Sequence, residues 1–358
     1  MRVLCFHPAL APYRVDFFNL LAERVELQIV LMLANLRTQG FDQKRLRGEL
    51  TIPVSYARKF SICSRDIPWG CGSLVWRQRP DVVLVYECSP VTLLMIFLRG
   101  FIRLKFSLWT FFDDSPDLIQ KRSGLRKVLR DWVMNQVDGV IVPSGLAMEA
   151  YLGCVKTQSE LRFATVPIIH DVRKVRMTQT AIFDSAERWR RENLKADEIM
   201  ALFVGRLTKV KNLEWLADRF EDSRWPRNIR LFVIGDGEQR VALEGRLPLL
   251  GRYEGDALNV FFAAADFLIL PSSSETFGAV VSEGLQWGAP ALLSSRVGAK
   301  SLIRDMRSGC VFEFGDSEDF HAKLKSLMER VPKWVKGRPS LETVTLSEAV
   351  EGLVEKMR

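Results

Sequence analysis

Short, continuous apolar runs alternate along the chain with longer stretches whose apolar residues recur at helical spacing. Residues 3–6, 26–33, 82–86, 104–109 and 139–142 predict strands, and 13–24, 91–98 and 125–136 predict helices between them. A second alternating set follows, at 199–204, 213–219, 230–234, 267–270, 278–286 and 291–293. Runs with no polar alternation belong to strands buried on both faces, so each set predicts a mainly parallel sheet covered by helices on two sides. The polar stretch 173–197, helical at 181–192, separates the sets and marks the expected domain boundary. A chain of 358 residues also exceeds what one core ordinarily supports. A cleft between two such units is where a ligand is expected.

Composition narrows the class. Apolar content of 47% with 26% charged residues fits a soluble globular protein and excludes a disordered one. The first six residues run directly into a strand, so no secretory leader is expected. The best membrane-spanning stretch, 92–112, is interrupted by Arg99, Arg103 and Lys105. Six cysteines are scattered without a C-x-x-C pair, which predicts reduced thiols in a cytoplasmic protein, with a Cys63–Cys71 bridge as the alternative. The net charge of +8 lies wholly in the first half: residues 1–200 hold 29 Lys+Arg against 21 Asp+Glu, and residues 201–358 hold 22 against 22. Clusters at Lys44-Arg45-Leu-Arg47, Arg58-Lys59 and 121–130 are either an ordinary basic surface or a footprint for an anionic partner. Lipid headgroups, a lipid diphosphate or nucleic acid would each serve.

The chemistry concentrates in residues 271–290, PSSSETFGAVVSEGLQWGAP. The apolar run 267–270 stops at Pro271, a polar loop follows, and Thr276-Phe277-Gly278 are expected to open a helix. The free N–H groups of such a helix end attract phosphate, and the carboxyl end of a strand is where open α/β sheets hold ligands. Glu275 in the loop and Glu283 about two turns into the helix would flank that anion site. A negative diphosphate with hydroxyls at both ends, as in a sugar nucleotide, suits the arrangement. Arg206 and Lys211 follow the strand 199–204 and would neutralise a departing diphosphate without a metal ion.

Several motifs in register resemble the retaining glycosyltransferases of family 4. They are E-x7-E with FG after the first Glu, Phe203-Val-Gly205-Arg206-Leu207 with Lys211-Asn212, Gly235-Asp-Gly237, Asp266-Phe267, Val297-Gly298 and Gly315-Asp316. The resemblance covers residues 198–330 closely and the first 170 residues loosely. It implies the GT-B fold, an α/β architecture of two Rossmann-like domains with parallel sheets facing across a cleft. The implied layout is an acceptor-binding domain at 1–172, a linker at 173–197, a nucleotide-sugar domain at 198–340 and a final helix at 341–358 packing back on the first domain. The implied activity is retaining, metal-independent transfer of a hexose-type sugar from a UDP- or GDP-sugar to a saccharide or lipid-linked acceptor in surface-polysaccharide synthesis.

By the same resemblance Arg206 and Lys211 contact the donor diphosphate, with backbone N–H groups near Thr276, Phe277 and Gly278. Glu275 contacts the donor sugar and Glu283 the ribose; Gly235 lies near the nucleotide and Tyr253 near the base. The nucleotide sugar is a substrate, so no cofactor and no metal are expected.

The first domain departs from the family pattern. A glycine-rich loop is replaced by His7-Pro-Ala-Leu-Ala-Pro12-Tyr13-Arg14, and the strand 105–109 leads to Asp113-Asp114-Ser-Pro-Asp117 without the family's cleft histidine. His7, Arg14 and Asp113 are the acceptor-side candidates. His7 reads equally well as a structural histidine, and Arg14 as a salt-bridge partner. The aspartates fit an acidic loop or a helix cap better than a metal cluster, because Pro116 is hostile to a helix interior. An NAD-dependent oxidoreductase would need a third glycine after Gly235-Asp-Gly237, and a basic nucleic-acid module would need a recognition motif absent here. The expected location is cytoplasmic, with contact at the inner membrane face.

Overall fold

The computed structural model describes residues 1–33, 42–62, 65–153, 161–330, 334–342 and 344–358. They form two α/β units, one from Met1–Ile168 with Leu346–Arg358, the other from Ile169–Thr345.

In the first unit the described strands make a seven-stranded sheet in the order Val54–Tyr56, Glu26–Leu31, Arg2–His7, Val82–Tyr86, Ser107–Phe111, Gly139–Val142, Arg162–Thr165. Every pairing is parallel. Side-chain alternation divides each strand between two cores. Leu4, Phe6, Val83, Val85, Leu108, Val140 and Val142 join one cluster with Val75, Met95, Val133 and Tyr151 from the helices Cys71–Gln78, Pro90–Phe101, Gly124–Met134 and Gly145–Leu152. Val3, Cys5, Leu84, Trp109 and Ile141 are buried at the intervening positions. The helix Leu346–Met357 packs against the helix Pro12–Ala22 and the strand Arg162–Thr165. Arg24 donates to Ser347 Oγ at 2.7 Å and Lys356 Nζ to the Phe163 carbonyl at 2.7 Å.

The second unit carries a six-stranded parallel sheet in the order Leu249–Gly251, Ile229–Ile234, Ile199–Val204, Phe267–Leu270, Ala291–Ser294, Gly309–Phe312. Chain order runs outward from Ile199–Val204, then restarts on its other side at Phe267–Leu270. This is the doubly wound arrangement, and its reversal point is where such sheets bind ligands.

Three expectations are corrected. The stretch 173–197, read as a linker helical at 181–192, carries a longer helix, Val172–Asn193, packed on the helix Asp256–Ala264. Its buried stripe holds Ile182, Phe183 and Ala186. Arg190 donates to the Ala264 carbonyl at 2.6 Å and to Asp266 at 2.7 Å, fixing the helix to the sheet. The strand expected at 104–109 begins at Ser107, because the preceding helix runs on to Phe101 and Arg103 turns the chain with φ +56°. The third concerns the helix after Pro271, described below. The strands Val54–Tyr56 and Arg162–Thr165 and the antiparallel hairpin Arg58–Ile62 with Arg65–Trp69 were not anticipated.

Among the described residues no helix is long and apolar enough to cross a membrane. Cys5, Cys71, Cys88 and Cys310 are free thiols, while Cys63, Cys154 and the Cys63–Cys71 pairing lie outside the described residues.

Leu353, fully buried on the last helix, tests that helix's attachment. Leu353→Ala should cost the first unit about 2–5 kcal/mol through lost burial and a residual cavity. Segment-resolved hydrogen exchange should show that loss in the first unit alone; equal protection in variant and wild type would refute the packing.

Candidate active site

The strands Ile199–Val204 and Phe267–Leu270 are hydrogen-bonded neighbours, so the loops at their carboxyl ends emerge side by side at the point where strand order reverses. The loops are stitched together: the Ser273 N–H and hydroxyl donate to the Val210 carbonyl at 2.8 and 3.2 Å. Across that seam the Lys211 ammonium pairs with the Glu275 carboxylate, both mostly buried. The Ser272 hydroxyl reaches the same oxygen of Glu275 at 3.5 Å.

Glu275 is fixed through its backbone. Its N–H donates to the Arg296 carbonyl at 3.2 Å, and its carbonyl accepts from the Gly298 N–H at 3.1 Å, a one-residue parallel bridge. Only glycine fits at 298, since a β-carbon there would stand 2.2 Å from the Thr276 carbonyl oxygen. Phe277 is buried beneath the loop. Gly278 adopts φ +93°, so the helix starts at Ala279 and not within Thr276–Gly278. A left-handed residue cannot continue a right-handed turn, which corrects the expected start by one position past Gly278. No side chain caps this helix, Ala279–Gln286, and its first N–H groups keep their positive potential.

Arg206 is exposed at the start of the first loop and has no ion-pair partner among the described residues. Gly235 lies against that loop: a β-carbon on it would stand 1.8 Å from the Gly205 carbonyl oxygen, and one on Gly237 would stand 2.5 Å from that of Leu207. These glycines are there for the approach of two loops, which accounts for a glycine pair without a dinucleotide fingerprint. Tyr253 follows the edge strand Leu249–Gly251, two strands from the seam, with its ring 4.7 Å from that of Phe261.

Glu283 faces a different network. The His170 imidazole lies 3.2 Å from its carboxylate, and Gln286, one turn further along the same helix face, donates to the His170 carbonyl at 3.0 Å and to Glu342 at 3.2 Å. Gln286 was findable by its spacing from Glu283; His170 and Glu342 come to the site only through the fold. Burial pushes the Glu342 carboxyl up to about 8, against weaker opposing effects of Gln286 and His170.

In the first unit His7, Arg14 and Asp113 come together at strand ends. Arg14 is buried and donates to both Asp113 oxygens at 2.8 Å, Tyr86 donates to the same carboxylate at 3.1 Å, and the guanidinium lies 4.6 Å from the Phe111 ring centre. Arg14 is therefore committed to a salt bridge and is not free for an acceptor phosphate. The His7 Nδ1 donates to the Ala9 carbonyl at 2.9 Å, and its ring meets Phe18 and Tyr86 edge-on. Burial, then Arg14, drives its pKa down to about 3, so it is neutral. Asp114 belongs to a separate pair with Arg122 and Tyr151, at 2.5 and 2.8 Å, and Ser115 caps the short helix that Pro116 begins. Glu87, which sequence reasoning missed, sits just past Val82–Tyr86 with φ +47°. Burial, Asp114 and Asp113 raise its carboxyl to about 7.

Residues 198–330 match the family described as glycosyl transferases group 1. An uncharacterized glycosyltransferase of Methanocaldococcus jannaschii is 34% identical over 122 residues, 32% of this chain and 31% of that protein. Sulfoquinovosyl transferase SQD2 of Arabidopsis thaliana is 30% identical over 164 residues, 43% of this chain and 32% of that protein. The matched region thus spans about a third of the length of these curated relatives. Anabaena HepE, solved in complex with UDP and glucose, superposes with a TM-score of 0.72 at 15% identity, covering 100% of this chain and 99% of that one. The fold is that of the GT-B glycosyltransferases.

The Glu342 carboxyl gives a pH test. The folded state holds a proton there that the unfolded chain, with its ordinary value of 4.5, releases. Stability of the second unit should therefore fall as pH rises from about 4.5 to 8. Glu342→Gln should flatten that decline in urea-unfolding midpoints compared at both ends of the window; an unchanged slope would count against the buried proton.

Proposed function

We propose that the protein is a retaining glycosyltransferase. It moves a hexose-type sugar from a UDP- or GDP-sugar to a saccharide or lipid-linked acceptor in surface-polysaccharide synthesis. The observation that carries this reading is the meeting of Lys211 and Glu275 across the strand-reversal seam, beside an uncapped helix end. Arg206 and Lys211 take the diphosphate, with the N–H groups at Thr276–Gly278 and the helix end completing a cradle that requires no metal. Fixed donors aimed at developing charge contribute much of the rate in such transfers. Glu275, held by its backbone bridge, binds the donor sugar, and Glu283 binds the ribose, oriented by His170. The match of 198–330 to group 1 glycosyl transferases and the UDP held by HepE support a nucleotide-sugar donor. The oxidoreductase reading is not favoured, since Gly235 and Gly237 are explained by loop packing. Nor is a non-catalytic basic module, which would not account for the match of 198–330 to group 1 glycosyl transferases.

Contact with an anionic membrane surface is part of the proposal. Phe97 and Phe101 stack one helical turn apart at 4.6 Å, exposed with Ile102 beside Arg103 and Lys105, a pairing of apolar tips and cations suited to a lipid interface.

Thermal shifts with UDP, GDP and ADP, then their sugars, should identify a stabilising nucleotide. Glu275→Ala and Arg206→Ala should each lower turnover of that donor by about 10²–10³-fold, as loss of a preorganised charge partner does elsewhere. Turnover unchanged in both variants would defeat the site assignment.

A further inference from the structure

The first unit holds a cavity at the edge of its sheet, beside the strand Val54–Tyr56. Its volume is about 320 Å³, within the range of small-molecule sites. Phe6 and Val30, near the carboxyl ends of their strands, lie at its base, and the helix Cys71–Gln78 closes one side. Tyr56 and Trp69 stand in its wall with 42% and 51% of their surfaces exposed. Hairpin register places Arg58 opposite Trp69, and the guanidinium lies 5.8 Å from the indole ring. Arg77, from the closing helix, completes the lining.

Three features of this cavity point to a ligand. Among the described residues no Asp or Glu lines it, and neither Arg58 nor Arg77 has a carboxylate partner. Arg47, from the basic cluster at 44–47, adds a third guanidinium 5.9 Å from the Tyr56 ring. The fold therefore gathers two basic clusters that are separate in sequence around two exposed aromatic rings. Flat aromatic faces complement the C–H faces of sugar rings, and unpaired guanidinium forks complement phosphate or carboxylate oxygens. Gln28 accepts from Gln78 through its carbonyl, which leaves its amide N–H groups for hydroxyls.

We propose that this cavity binds a saccharide bearing an anionic group, with the sugar on Tyr56 and Trp69 and the anion between Arg58 and Arg77. In the glycosyl-transfer reading, on which this role rests, that saccharide is the acceptor, and its anion is either a sugar phosphate or a uronate.

The test follows the indole N–H resonance of Trp69, assigned by Trp69→Phe, during titration of the full chain. The probes are a glucuronate-containing tetrasaccharide, its carboxyl-reduced neutral counterpart, glucose 6-phosphate and inorganic phosphate. At least one anionic sugar should move the Trp69 signal saturably, and the one that binds identifies the anion. Arg58→Ala and Arg77→Ala should each weaken it roughly tenfold or more, the scale of a hydrogen bond to a charged group. Overturning results are a neutral tetrasaccharide binding as tightly as the charged one, inorganic phosphate matching glucose 6-phosphate, arginine variants binding like wild type, or no probe moving Trp69 at millimolar concentration. UDP binding measured on the same samples separates the two readings. Its absence in wild type would strike the donor-site proposal, while the Trp69 titration alone decides the cavity.

Discussion

The second unit depends on one seam, where a lysine from the loop after its first strand meets a carboxylate from the loop after its fourth. Parallel strand pairing brings the loop roots together, but it does not hold the tips. The Lys211–Glu275 pair does that, backed by the Ser273 contacts and the one-residue bridge of Glu275 with Val297. A partly buried pair of this kind is costly to break on one side, because the remaining charge stays desolvated. A diphosphate entering the seam would give the ammonium a second anion, so in the proposed reaction the resting pair keeps the lysine placed before the donor arrives.

The two units handle charge differently. The second comes near balance, with 27 Lys+Arg against 25 Asp+Glu in residues 169–345. The first uses its buried acids internally: Asp113 on Arg14 and Tyr86, Asp114 on Arg122 and Tyr151. The basic excess of the first half is therefore not spread evenly, and it includes guanidinium groups with no carboxylate partner among the described residues. Electrostatics of that kind favour capture of anionic ligands over added stability.

Legibility followed element length and burial. The strands 199–204, 267–270, 82–86 and 139–142 were plain in sequence because each is a continuous apolar run buried on both faces. The edge strand Val54–Tyr56 has three residues, two of them exposed, and the strand Arg65–Trp69 contains Pro68, so neither carries a periodic signal. Of the helix Val172–Asn193 only 181–192 was legible, because the polar first turns carry too few apolar residues to show a helical period. At the site, Glu275 and Lys211 were each readable through motif, but as members of other pairs, Glu275 with Glu283 and Lys211 with Arg206; their own ion pair came only with the fold. Nor was the His170–Glu283 contact readable, because it joins residues 113 positions apart through tertiary packing alone.

The helix Leu346–Met357 belongs to the first unit, so the polypeptide crosses from one unit to the other twice. Topologically the second unit is an insertion within the first. Its own segment is contiguous and can acquire native structure as soon as it has been synthesised. The first unit must wait, its Arg162–Thr165 edge and Pro12–Ala22 face lacking their cover until everything between has been translated. Cotranslational folding should therefore finish in reverse of the order in which the chain begins.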